Sequence, residues 1–217
     1  MPRFIICLSL FFLLLPGTLW AKRPNKGFHT GPYLLMNGGF MQYDWDVNQR
    51  TLVQEGDKIE PIIGFTFGWH LLDWLGTELQ TRYSTSDNNN RREHVANINM
   101  GLSYTFLGWE KLLDLKRWRI LPFVKGSFCL NASSLPGDIQ ANDERVSIFG
   151  MGPGVGGGIH VKYKYLYFGV EAQEDFIHYP NKSQEITVNG TSLGTQQIYR
   201  GGFKSQFSLL GVFGVHY

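Results

Sequence analysis

Apolar and polar residues alternate with a period of two along most of this chain. In 95–106 the even positions are Ala96, Ile98, Met100, Leu102, Tyr104 and Phe106, and the odd positions are Val95, Asn97, Asn99, Gly101, Ser103 and Thr105. In 76–84 Thr77, Leu79, Thr81 and Tyr83 oppose Gly76, Glu78, Gln80, Arg82 and Ser84. In 59–69 Ile59, Ile63, Phe65, Phe67 and Trp69 oppose Glu60, Gly64, Thr66 and Gly68, with Pro61 and Ile62 as exceptions. In 203–217 Phe203, Phe207, Leu209, Phe213, Val215 and Tyr217 share one parity. Successive side chains of a strand point to opposite faces, so this pattern dictates strands with one greasy and one hydrophilic side.

Four noisier segments follow the same rule: 120–131, 147–161, 166–177 and about 31–43. In the third, Leu166, Phe168, Val170, Ala172 and Phe176 oppose Gly169, Glu171, Gln173 and Asp175. In the last, Leu34, Met36 and Phe40 share a parity that Leu35 and Met41 break. The total is eight strands. Connections after strands 1, 3, 5 and 7 are long and polar (44–58, 84–94, 132–146 and 178–199), while those at 70–75 and 162–165 are short. The connection 107–119 departs from this alternation; its Trp109, Leu112, Leu113 and Leu115 permit a short amphipathic helix or a longer turn.

The chain begins with Met1-Pro2-Arg3, an apolar run from Phe4 to Leu15, a Pro16-Gly17 break and a small residue at Ala21. This is the layout of a secretory signal peptide over residues 1–21, with the folded domain at 22–217. The run is too short for a helical span, which takes ~20 residues. Cys7 belongs to the leader, so Cys129 alone remains in the mature chain, and a disulfide framework and a Cys-based zinc site are excluded. Without Arg3 the mature chain holds 19 basic and 18 acidic residues, a balance that argues against nucleic acid as a partner.

Period two fits a soluble barrel or sandwich as well as a membrane barrel; they differ in which face is wet. Three features favour the membrane. The polar faces carry unlike charges and amides that could pair inside a narrow lumen: Glu78, Gln80, Arg82, Lys125, Glu171, Gln173, Asp175, Lys204 and Gln206. Aromatics collect at strand ends, with Trp69, Trp74, Phe106, Trp109, Trp118, Tyr163 and Tyr165 near the short turns and Tyr43, Tyr83, Phe149, Phe176 and Phe203 near the long connections. About 11 residues at ~3.3 Å, tilted ~45°, span ~26 Å, the height of an outer-membrane apolar band. Every strand edge must be paired in hydrocarbon, so strand 1 is expected to meet strand 8. Pro153 removes one ladder donor within strand 6, reading as a local irregularity or as a lateral opening.

The leader, eight alternating strands, alternating connection lengths and aromatic C-terminus resemble the small eight-stranded outer-membrane barrels of the OmpA and OmpX type, over about 31–217. The ending Leu209-Leu210-Gly211-Val212-Phe213-Gly214-Val215-His216-Tyr217 resembles the signal read by the barrel-assembly machinery, with Phe213, Val215 and Tyr217 on one face. The resemblance implies an all-β, antiparallel up-and-down transmembrane barrel in a bacterial outer membrane. It also implies lipopolysaccharide and outer-membrane lipid as surroundings, the assembly machinery as a partner during insertion, and a monomer.

An eight-stranded lumen is just wide enough for side chains to fill, so no wide pore is expected. Gly150, Gly152, Gly154, Gly156 and Gly158 leave one wall bare, to be covered by long side chains such as Lys125, Arg82 or Lys204, or else to leave a slender cavity. The segment from Glu174 to Asn181 loosely resembles the His-x-Ser-Asn stretch of lipid A deacylase barrels, but Pro180 stands where that chemistry needs its serine. The six histidines are dispersed with no ligand-like spacing, so no metal or other cofactor is expected. The sequence therefore reads as a non-catalytic barrel with a structural or surface-interaction role, its long connections open to an external ligand. The alternative is a narrow pore or small-ligand pathway.

Overall fold

The computed structural model describes residues 30–45, 56–88, 91–107, 118–136, 145–188, 191–199 and 201–216. Among the described residues there are ten strands: β1 (Gly31–Trp45), β2 (Gly56–Leu72), β3 (Leu75–Asn88), β4 (Arg91–Thr105), β5 (Trp118–Pro136), β6 (Arg145–Tyr163), β7 (Leu166–Tyr179), β8 (Lys182–Val188), β9 (Thr191–Tyr199) and β10 (Gly202–His216). Eight of them close an antiparallel barrel in the order β1, β10, β7, β6, β5, β4, β3, β2, and β8 and β9 pair only with each other. The closing seam runs from Tyr33 opposite His216 to Tyr43 opposite Gln206. The leader, residues 108–117 with their possible helix, and Tyr217 lie outside the described residues.

Exposure follows parity along the barrel strands, with Pro122 of β5 a buried exception on the outward parity. Ile63, Met36, Leu102, Val170 and Phe213 point outward and are more than half exposed, whereas Thr66, Gln80, Asp175 and Ser208 are fully buried. In water each such outward side chain forgoes ~1.5–3 kcal/mol of burial. A soluble barrel would have its faces the other way round, so this molecule is a transmembrane barrel. The interrupted parity of the first strand has a simple cause. Leu34, Met36 and Phe40 face lipid, while Leu35 and Met41 join an inner apolar set with Tyr33, Ile62, Leu121, Ile177, Tyr179 and Leu210. A filled lumen accepts apolar residues, whereas the lipid face rejects polar ones, so errors gather on one side of the pattern.

At one end the strands join by tight turns. Lys164 takes φ 55° between Tyr163 and Leu166, the left-handed conformation that a two-residue hairpin turn demands. At the other end the strands outrun the membrane: β5 and β6 have 19 residues each, where ~9–11 suffice to cross. The expected loop 84–94 is therefore mostly ladder, paired out to Asn88 opposite Arg91. The expected loop 178–199 contains the hairpin of β8 and β9. That hairpin gives little alternating signal, because apart from Ile186 and Val188 the sequence of its first strand is polar on both parities.

Pro153 pairs across to Phe128 of β5, but rungs to β7 are missing at Gly152 and Pro153, between Met151–His178 and Gly154–Asp175. A β carbon at Gly152 would fall 1.9 Å from the Phe176 carbonyl oxygen. The two backbones are pressed together there, so the irregularity does not open the wall.

Candidate functional site

The inward parity of the eight strands stacks polar groups across the lumen in tiers. In the middle tier Lys125 of β5 lies 2.9 Å from Glu78 of β3 and 3.0 Å from Glu171 of β7. The Gln80 side chain donates to Glu171 at 3.1 Å and to Thr66 of β2 at 3.2 Å. Asn37 of β1 donates to the same threonine at 2.9 Å, and the Tyr33 hydroxyl donates to Glu78 at 3.2 Å. One ammonium thus holds two carboxylates, and amides and hydroxyls carry the network to two further strands, β1 and β2.

The next tier toward the long-connection end is centred on Arg82 of β3. Its guanidinium pairs with Asp175 of β7, donates to Ser208 of β10 at 2.6 Å and donates to Asn99 of β4 at 2.8 Å. Asp175 also accepts from Asn99 at 2.8 Å and from Gln173 at 2.7 Å. Above it Gln206 donates to the Tyr179 hydroxyl at 3.1 Å and accepts from Asn97 at 3.0 Å, and Asn131 donates to Asn97. Charge-assisted bonds of this kind are the strong ones, and they are stronger away from bulk water.

Of the nine polar residues that parity singles out, Glu78, Gln80, Arg82, Lys125, Glu171, Gln173, Asp175 and Gln206 are buried, with these contacts. Lys204 shares the inner parity, is half-buried and sits toward the long-connection end. Phe213 and Val215 lie on the outward face at the opposite end of β10.

The glycine wall of β6 is covered by its flanking strands, not by residues across the lumen. A β carbon on Gly154 would lie 2.1 Å from an Asp175 carboxylate oxygen, and one on Gly156 would lie 3.2 Å from Lys125 Cε. Lys125 does cover the wall as expected, but Arg82 and Lys204 are not among the nearest groups. The missing side chains make room for the two ion pairs.

The short-turn end of the lumen holds a tier that the sequence does not announce. His70 of β2, His160 of β6 and His216 of β10 converge there with Tyr33 and Tyr167. His70 and His216 have ring centroids 5.6 Å apart, Tyr167 stacks on His216 at 5.5 Å, and Phe123 stacks on His160 at 4.3 Å. His160 Nε2 is 2.9 Å from Glu171, and Lys162 Nζ is 3.1 Å from His216 Nδ1. Among the described residues no group of three or more His, Cys, Asp or Glu is placed to hold a metal ion. The hydroxyls of the middle tiers are braces: Ser208 accepts from Arg82, and Ser127 accepts from Gln173 at 3.3 Å. In the segment likened to a deacylase motif, Glu174 and His178 face outward while Asp175 and Tyr179 face the lumen.

No protein-family model matches the chain. No curated protein matches it either. Among solved structures it is similar to Neisserial surface protein A, with a TM-score of 0.51 and 12% identity over 87% of this chain and 98% of that one. The outer membrane protein OprG from Pseudomonas aeruginosa gives 0.45 and 13%, over 89% and 97%. Ail, the attachment invasion locus protein of Yersinia pestis, gives 0.46 and 6%, over 88% and 100%. At such identities the likeness is one of fold, that of the small outer-membrane barrels.

Proposed function

We propose that this outer-membrane β-barrel is a non-conducting, non-catalytic scaffold, whose role is to brace the envelope and present a contact surface at its long-connection end. The observation that supports this best is the pair of ionic tiers around Lys125 and Arg82. Each ties strands on opposite sides of the lumen through buried, charge-assisted bonds. An ion passing through would have to break them, and leaving a buried charge without its partner costs several kcal/mol. The strand extensions and the β8–β9 hairpin emerge beyond the apolar belt and are the surface a lipopolysaccharide or an external ligand would meet first.

Export with removal of residues 1–21, recognition of Phe213, Val215 and Tyr217 by the barrel-assembly machinery, and a monomeric state belong to the same reading, as does the lack of a cofactor. The test is planar-bilayer recording of the purified mature barrel. Silence at moderate voltage is expected. Steady unit currents would overturn the proposal in favour of a narrow pore, and loss of an acyl chain from lipid A on expression would overturn it in favour of an enzyme.

A further inference from the structure

One carboxylate stands on the wrong side of the wall. The outward positions of β7 are Leu166, Phe168, Val170, Ala172, Glu174, Phe176 and His178. Among the described side chains on the outer face of the eight barrel strands, Glu174 is the one acidic group, and none is Lys or Arg. Its cross-strand neighbours are Val155 of β6 and Phe207 of β10. From Leu166 to Glu174 the strand climbs about 20 Å, eight steps of ~3.3 Å tilted ~40°, within an apolar band ~25 Å tall. That leaves it about 5 Å below the upper rim of the band, where a carboxylate faces acyl chains and gains by finding a polar partner.

The surroundings of Glu174 indicate what it holds. Ser205 of β10 donates its hydroxyl to Glu174 Oε1 at 2.7 Å. The rungs Phe207–Glu174 and Ser205–Phe176 make a two-by-two checkerboard, polar on one diagonal and phenyl on the other. One rung further toward water, His178 packs on Phe203 with ring centroids 4.9 Å apart. A carboxylate with a spare oxygen, a hydroxyl oxygen able to accept, and adjacent phenyl faces together suit an ammonium. The carboxylate supplies charge and hydrogen-bond acceptors, and the aromatic faces attract cations. The site opens on the lipid-facing wall among apolar neighbours, so an amphiphile of the bilayer is the occupant it fits.

We propose that Glu174 and Ser205, framed by Phe176 and Phe207, form a lipid-facing site for the primary ammonium of an amphiphile's head group. Binding makes and breaks no covalent bond; the ammonium lies against the carboxylate below the rim formed by His178 and Phe203, while the acyl chains follow the apolar belt downward.

The test is native mass spectrometry of the full mature barrel, released from mixed micelles holding equal amounts of ethanolamine-, choline- and glycerol-headed phospholipid. Wild type is expected to retain the ethanolamine lipid about tenfold over the glycerol lipid, the ratio that one charge-assisted contact gives. Choline lipid, which has charge but no N–H donor, should fall between them. Glu174→Gln, nearly the same shape, should bring the ratio close to one, and Ser205→Ala should reduce it in part, with both variants still migrating as folded barrels on unheated gels. Equal retention by wild type, an unchanged ratio in Glu174→Gln, or a Glu174→Gln effect on oligomeric state alone would overturn the proposal. A second arm with lipopolysaccharide, with or without amines on its phosphates, tells whether that glycolipid or a phospholipid supplies the ammonium.

Discussion

Lys125 Nζ meets Glu171 Oε2 at 3.0 Å across β6, the strand that separates theirs. The contact is possible because β6 presents Gly156 and Gly158 toward the lumen at that level. Lys125 also holds Glu78 at 2.9 Å, so removing it leaves two buried carboxylates facing each other. Lys125→Met is expected to cost about 3–5 kcal/mol. Adding Glu78→Gln and Glu171→Gln should recover most of that loss. Urea titration of the barrel in lipid vesicles, followed by tryptophan fluorescence, measures both.

Glycines inside and outside the wall should respond in opposite ways. A methyl at Gly154 would lie 2.1 Å from an Asp175 oxygen, so Gly154→Ala must displace the carboxylate that Arg82 holds. A loss of about 2 kcal/mol or more is expected, the scale of a disturbed buried charge pair. Gly126 faces outward, and a methyl added there would meet nothing within 4 Å, so Gly126→Ala should stabilise by roughly 0.4–1 kcal/mol through the unfolded chain. The same titration distinguishes the two.

The outward belt predicts a depth-dependent penalty for charge. Met100 and Leu79 sit opposite each other on the lipid face of β4 and β3. Met100→Arg is expected to destabilise by about 2–4 kcal/mol, whereas Thr85→Arg, near the long-connection end, should cost roughly 0–1 kcal/mol. Folded fractions on unheated gels across a urea series report the difference. Equal costs would be inconsistent with lipid on this face.

Phe213 separates assembly from stability. Its ring is more than half exposed on the outer face, so in detergent Phe213→Ala should lower the stability of the refolded barrel only by the ring's lost contact with the micelle, at most about 1.5–3 kcal/mol. If the residue is read by the assembly machinery, the same variant should reach the outer membrane several-fold less well in cells. Comparing refolding yield with membrane fractionation resolves the two effects.

Much of this fold is legible in the chain because lipid imposes the stricter rule. Ile98, Met100, Leu102 and Tyr104 alternate cleanly since each must be apolar, and the eight strands follow from that. The lumen is permissive, which is why Leu35 and Met41 blur the first strand. What pattern cannot supply is distance across the barrel. Glu78, Lys125 and Glu171 are recognisable one by one as inward residues, but their meeting depends on strand order, stagger and the bare wall of β6. His70, His160 and His216 are far apart in sequence and converge only through closure. Glu174 is hidden in the sequence because its neighbours Glu171, Gln173 and Asp175 fill the opposite parity, and a single violation reads as noise until the side chain is seen pointing out.

The seam between β1 and β10 couples the two ends of the chain: Tyr33 is matched with His216 and Tyr43 with Gln206. One edge of β1 is held by β2, but the other therefore has no mate until β10 has been made. A product that stops before β10 keeps two raw edges that hydrocarbon will not tolerate, so insertion works as a proofreading step that such a product cannot complete.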